Sequence, residues 1–390
     1  MRTPQILETW VAAVVIATGM LPVAGWADGQ GTGTTNAPHA QAARSAQETL
    51  REYLRLEEQV QTQFKGQQYE QAAAACREQI RLAPKSAAAT YNLACALARL
   101  GRADEALTNL AAAVAFGFID AAHIQADADL ASLRGLQGYA GVLAQVHAAE
   151  KKIDAAPDLP GIKSVTGSPE GGFRYRLRLG AAATKEQPHR LVVWMHPSGG
   201  SMNEQAEALA PLFARHGYAV LVLTLKNFLG WSEQDGARLM QTIAAAGQTE
   251  GVDASRPLLF GFSAGGQMAL LLFAAQPQQW GGLILDAAYP VRQTMGADGK
   301  TQTTLLELPE NAALKPAPWF VLVGAKDGGA RVWKDNEEHF RTQYGVPLTL
   351  HIVPEKSHAW LFDGAAQEQL EQWLKDLQAR DGWSTTPAAL

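Results

Sequence analysis

Short, unbroken apolar runs recur through the second half of the chain, at 191–195, 219–225, 257–262, 282–285, 319–323 and 348–353. Segments of helical composition separate most of them. A strand covered on both sides has no polar face to alternate with, so such runs between helices predict a parallel sheet with helices on both faces. Ahead of them, residues 173–179 alternate apolar and polar with period two, which predicts a strand at a sheet edge. The stretch 153–168, carrying Pro157, Pro160 and two glycines, reads as a turn-rich linker.

Upstream the period changes. Tyr53, Leu56, Val60 and Phe64 recur at helical spacing, and helical composition continues over 72–82 until Pro84 stops it. A second unit holds Tyr91, Leu93, Ala94 and Leu97, then Gly101, then 106–114. Matching positions lie 34 apart: Ala72 with Ala106, Cys76 with Leu110, Pro84 with Phe118. With its helix–turn–helix units, residues 50–152 resemble a tetratricopeptide-repeat module, although Gln59 stands where the second unit has Leu93. A further helical stretch over 127–149 is expected to cap the stack, since two units alone bury too little surface. The resemblance implies a surface for a protein or peptide partner; simple packing within the chain is the plainer reading. Cys76 and Cys95 fall on core-facing positions and read as small apolar fillers, although an exported chain would permit a disulfide.

The first 27 residues read as an address. Arg2 precedes a short apolar core over 11–21, and small residues follow up to Ala27, the order of a secretory signal peptide. The apolar run is shorter than the ~20 residues a spanning helix needs. Export, periplasmic or secreted, is therefore the expectation, with 28–49 as a flexible linker and no stable membrane span. Composition narrows the rest. With 33 basic against 38 acidic residues the formal charge is −5, so a nucleic-acid partner has no electrostatic footing. Two cysteines cannot build a disulfide scaffold or a cysteine-ligated metal cluster, and no metal or phosphate-binding motif is present. No cofactor is expected.

The chemistry gathers where the apolar runs end. Gly261-Phe262-Ser263-Ala264-Gly265 lies between a predicted strand and an apolar helix, the setting of a nucleophile elbow. There the residues two before and two after the serine are pressed together, so Gly261 and Gly265 must lack side chains. A serine hydroxyl needs a base, and His358, in the loop after the last apolar run, is the best placed of nine histidines. The base needs an acid. Asp327 follows the 319–323 run between Gly324 and Gly328, and Asp286, at the end of the preceding run, is the alternative. An oxyanion needs two backbone N–H donors. Ala264 supplies one, and the loop His196-Pro197-Ser198-Gly199-Gly200 supplies the other through Ser198 or Gly199, because Pro197 has no N–H. His196 is expected to brace that loop.

Taken together, residues from about 161 to 380 resemble the α/β-hydrolase superfamily, in its dienelactone-hydrolase-like and esterase or depolymerase-like branch. The resemblance implies a catalytic domain over 169–380, a tail over 381–390, and hydrolysis through an acyl-serine formed by Ser263 with His358 and Asp327. A small or extended carboxylic ester is the expected substrate. A serine peptidase of the same fold and an inactive binding scaffold stay open. Residues 287–318 read as a polar loop plus a connecting helix, too short for a large helical lid, so an open pocket is expected. Trp231, Trp333 and Trp360 are candidates to line it, with core packing the plainer role for each.

Overall fold

The computed structural model describes residues 49, 52–53, 55–155, 159–198, 200–226, 230–295, 301–309 and 317–381. The expected leader 1–27 lies outside them, as do nearly all of the linker 28–49 and of the tail 381–390. Among the described residues, those up to 155 fall in one compact unit and those from 159 in another.

The first unit is helical. Helix α1 covers 55–65, followed by α2 (Tyr69–Leu82), α3 (Ala87–Arg99), α4 (Ala103–Ala115) and the short α5 (Ala121–Ala126). Small side chains set the packing: Ala72 and Cys76 of α2, Ala94 and Ala96 of α3, and Ala106 and Ala113 of α4 are all inaccessible to solvent. Two of the pairs read 34 residues apart, Ala72 with Ala106 and Cys76 with Leu110, occupy fully buried positions. Ser86 caps α3 by accepting the Ala89 N–H at 3.2 Å, and its hydroxyl meets that of Tyr53 at 2.6 Å. The expected helix over 127–149 is broken. A 3₁₀ turn (Ala128–Leu133), started by Asp127 accepting the Asp129 N–H, precedes α6 (Gln137–Asp154), which extends past residue 153 into the expected linker. Cys76 and Cys95 are free and buried, and burial pushes the Cys76 thiol up to about 12.

The second unit is an eight-stranded sheet in the order β1-β2-β4-β3-β5-β6-β9-β10. The strands are β1 (Ile162–Gly167), β2 (Arg174–Gly180), β3 (His189–Met195), β4 (Tyr218–Leu225), β5 (Val252–Phe262), β6 (Gly282–Asp286), β9 (Trp319–Gly324) and β10 (Leu348–Val353). β2 runs antiparallel to both of its neighbours, and β3 to β6, β9 and β10 pair in parallel with one another and with β4. Two expectations are corrected here. Part of the supposed linker is β1, whose Ile162, Val165 and Thr166 suit a strand despite the flanking glycines. β2 is accordingly not the edge. Two of its polar positions are buried too, because Arg176 and Arg178 reach the buried Glu207 at 2.6 and 3.1 Å.

Helices α7 (Asn203–Ala208), α8 (Ala210–Arg215), α9 (Glu233–Ala246), α10 (Ala264–Ala275), α11 (Gly328–Thr342) and α12 (Gly364–Asp381) accompany the sheet. Two apolar cores result, one on each face: Leu191, Val193, Leu221 and Leu259 point to one, Val192, Val220, Leu258 and Phe260 to the other. The polar insertion after β6 is a hairpin of β7 (Val291–Met295) and β8 (Thr301–Leu305), where a loop and a helix were expected. Its two strands pair antiparallel, Val291 opposite Leu305 and Arg292 opposite Thr304. Among the described residues, no helix is long and apolar enough to cross a membrane.

Candidate active site

Ser263, Ala264, Asp286 and Asp327 sit at or just past the carboxyl ends of β5, β6 and β9, and Ser198 and His358 follow β3 and β10, where parallel strands release their loops. β5 ends at Phe262, and Ser263 turns the chain with φ 53° and ψ −118°, a backbone that L side chains adopt only under constraint. Two glycines permit the turn. A Cβ on Gly261 would fall 2.4 Å from the carbonyl carbon of Gly265, and one on Gly265 would fall 1.8 Å from the Met195 carbonyl oxygen. α10 is thereby drawn against the end of β3. The Ser263 N–H donates to the Asp286 carbonyl of adjacent β6 at 2.9 Å, fixing the turn from below.

β9 leads to the candidate acid. Asp327 stands at the N-cap of α11, and its Oδ1 accepts the Gly329 N–H at 3.0 Å. Gly324 lets the next loop pass close by, since a Cβ there would lie 2.4 Å from the carbonyl oxygens of Lys356 and Ser357. Backbone bonds from Ala325 to Val353 and from Lys326 to Lys356, both 2.8 Å, bind the two loops together. His358 is thus brought beside Asp327. Its Nδ1 lies 2.9 Å from Asp327 Oδ2, and its Nε2 lies 2.9 Å from Ser263 Oγ. The Asp327 side chain is almost wholly covered, whereas a quarter of the imidazole reaches solvent. Burial alone would raise the Asp327 carboxyl, but hydrogen bonds from His358, Tyr289 and the Gly329 N–H together hold it below the usual carboxylate range.

Asp286, the other acid considered, is elsewhere engaged. Its carboxyl is fully buried, and Oδ2 accepts the N–H of Leu361 at 2.9 Å. Burial, opposed by the Leu361 N–H and aided by the nearby Asp327 charge, pushes its carboxyl well above the usual carboxylate range. Ala264 opens α10, where first-turn N–H groups have no intrahelical acceptor. Ser198 lies in the loop after β3, with its hydroxyl oxygen shielded from solvent; Gly199 is outside the described residues.

That loop is braced from its start. His196 Nδ1 contacts the Pro197 carbonyl at 2.5 Å, and Trp231 stacks on the imidazole (centroids 4.6 Å apart) while its Nε1–H donates to the His196 carbonyl at 2.9 Å. Burial, then the Lys226 charge, lower the His196 imidazole to about 3 against the opposing Pro197 carbonyl, so it is neutral at any physiological pH. Of the other two tryptophans, Trp333 is fully buried and Trp360 packs edge-on against Trp194 and Phe262.

One residue of this cluster is absent from the sequence reading. Tyr289 donates its O–H to Asp327 Oδ1 at 2.6 Å, and its oxygen is 3.0 Å from His358 Nδ1. Burial, then hydrogen bonding to Asp327, push its phenol well up, so it remains a neutral donor. A cavity of about 330 Å³ lies at the opposite edge of the sheet, between the starts of β9 and β10 and α12, and its lining holds no nucleophile–base pair. Among the described residues, no group of three His, Cys, Asp or Glu side chains is placed to hold a metal ion.

A profile of the phospholipase/carboxylesterase family matches residues 233–309, the stretch from α9 through the elbow to β8. The matched stretch carries β5, β6 and Ser263. The second unit has an α/β-hydrolase fold. Among curated proteins, parts of the chain resemble the multifunctional-autoprocessing repeats-in-toxin of Vibrio cholerae serotype O1 (30% identical over 118 residues, 27% of this chain) and of Vibrio vulnificus (28% over 140 residues, 33% of this chain). The chain spans only 2% and 3% of those relatives' own length. Solved structures similar to part of the chain include an esterase/lipase from an uncultured bacterium (14% identical, covering 60% of this chain and 91% of that one, TM-score 0.41). Esterase B from Lactobacillus rhamnosis is another (16%, 62% and 94%, TM-score 0.40).

Proposed function

We propose that the hydrolase domain is a serine carboxylic-ester hydrolase whose nucleophile is Ser263, base His358 and acid Asp327. The observation that carries this reading is the unbroken line of hydrogen bonds from Ser263 Oγ through the imidazole to Asp327, 2.9 Å at each step. His358 Nε2 takes the serine proton as Oγ attacks the ester carbonyl carbon, and Asp327 holds the other ring nitrogen protonated. Negative charge then develops on the former carbonyl oxygen. The Ala264 N–H at the positive end of α10, with a backbone N–H of the loop after β3, stabilises it. Collapse breaks the bond to the alcohol oxygen, which receives the proton from Nε2. Water repeats the sequence against the acyl-serine, releasing the carboxylic acid and restoring Ser263.

The partly exposed imidazole and the hairpin insertion support a site open to bulky or extended esters. For the helical unit, the 34-residue spacing and its buried small residues support a tetratricopeptide-like module that contacts a protein or peptide. The composition of 1–27 supports export, which sequencing the amino terminus of the mature protein would test.

The decisive experiment is labelling with a fluorophosphonate probe, alongside turnover of p-nitrophenyl esters and of peptide amides. Wild-type protein should be labelled and should cleave esters, and Ser263→Ala should lose both, by about 10³-fold or more in rate. A wild-type chain that is not labelled would overturn the enzymatic reading. Faster cleavage of peptides than of esters would replace it with a peptidase.

A further inference from the structure

Tyr289 is placed by several features at once. Immediately after β6 ends, Ala287 turns the chain with φ 49°, while its N–H donates to the Leu322 carbonyl at 3.0 Å. The Ala288 carbonyl is held by the buried Trp333 Nε1–H at 2.8 Å. The phenol ring then lies flush on Gly329, where a Cβ would fall 2.0 Å from the ring carbons Cδ1 and Cε1. It also meets His358 nearly edge-on, with centroids 6.1 Å apart. Ring packing alone would be served by phenylalanine. The hydroxyl instead completes the shell of the acid: Asp327 Oδ2 faces the imidazole, and Oδ1 takes both the Tyr289 O–H and the Gly329 N–H.

We propose that Tyr289 is a positioning residue for ester hydrolysis, acting through Asp327; the proposal rests on the ester-hydrolase reading above. A carboxylate held at only one oxygen can swing about its last torsion, and each swing takes Oδ2 away from Nδ1–H. Two donors on Oδ1 fix the carboxylate plane. Oδ2 then keeps the imidazole in the tautomer whose unprotonated Nε2 faces Ser263. The phenol is also oriented, with its hydrogen toward Asp327 and its oxygen toward Nδ1. When the imidazole takes up the serine proton, that oxygen lies beside the new positive charge.

The test is Tyr289→Phe in the full chain, which keeps the ring and deletes one hydroxyl. kcat on a p-nitrophenyl ester and the rate of fluorophosphonate labelling should both fall about tenfold, with KM within about twofold of wild type. A double-mutant cycle with Asp327→Asn separates positioning from a structural role. On that background the hydroxyl has lost the carboxylate it acts through, so Tyr289→Phe should cost little more. Unchanged kcat and labelling in an active enzyme would overturn the proposal, and so would losses that multiply fully in the double variant. If Tyr289→Phe also lowers the melting temperature, the labelling rates in the cycle, measured well below the transition, still decide between the two. A wild-type chain inert to ester and probe would instead sink the ester-hydrolase reading itself.

Discussion

Oδ2 of Asp286 accepts the N–H of Leu361, 75 residues further along, and so ties the end of β6 to the segment that carries His358. The bond runs from β6, the strand beside the one that leads to Ser263, to a residue three past His358. It is made by a carboxyl whose pKa burial pushes well above the usual carboxylate range.

Asp286 should therefore tolerate an amide but not an alanine. Asp286→Asn keeps an acceptor for Leu361 and should retain ester turnover within about threefold, whereas Asp286→Ala leaves a buried N–H unpaired at a cost of about 1–3 kcal/mol. The pH dependence has a definite sign. An unfolded Asp releases its proton near pH 3.9, but the folded chain keeps Asp286 protonated above that, so this group's stabilisation is complete below pH ~4 and declines as the pH rises. Urea titrations from pH 4 to 7 should show Asp286→Asn gaining on wild type as pH increases. A constant difference would contradict the raised pKa of Asp286.

Backbone crowding at the elbow predicts a sharp contrast between neighbouring glycines. Gly265→Ala would place a Cβ 1.8 Å from the Met195 carbonyl oxygen, whereas nothing lies within 4 Å of a Cβ on Gly200. Overpacking of this kind should cost about 3 kcal/mol or more, seen as a lower denaturation midpoint or insoluble protein. Gly200→Ala should match wild type within about 0.5 kcal/mol.

His196, held near pKa 3, should show no imidazole titration by NMR between pH 5 and 9. An unfolded histidine gains its proton below pH ~6.5 while the folded one refuses it, so stability is lost as the pH falls from there toward 3, by up to ~1.4 kcal/mol per pH unit. His196→Gln should remove that slope. An equally steep loss in the variant would assign the acid sensitivity to other groups.

The readable parts of the chain are those whose pattern is local. The apolar runs at 191–195, 282–285 and 319–323 lie within strands of the central sheet, because burial on both faces leaves an unmistakable composition. The glycines at 261 and 265 were legible for the same reason, since the elbow's sterics act within five residues. β1 was hidden by the prolines and glycines around it, and the hairpin after β6 by strands built from Thr, Gln and Arg. Tyr289 had no local signal at all. Its hydroxyl matters through Asp327, 38 residues away, and only the assembled sheet brings the two together.

Asp327 begins α11 as well as facing the imidazole: one carboxylate both starts a helix and orients a ring. Natural selection for either duty would preserve the same side chain. A descendant that had abandoned turnover would still be under pressure to retain it, so an aspartate at this point in a related chain says little about whether that chain is still active. The tyrosine hydroxyl has no comparable second employment among the contacts described, and its exchange for phenylalanine would be the earlier mark of a lapsed enzyme.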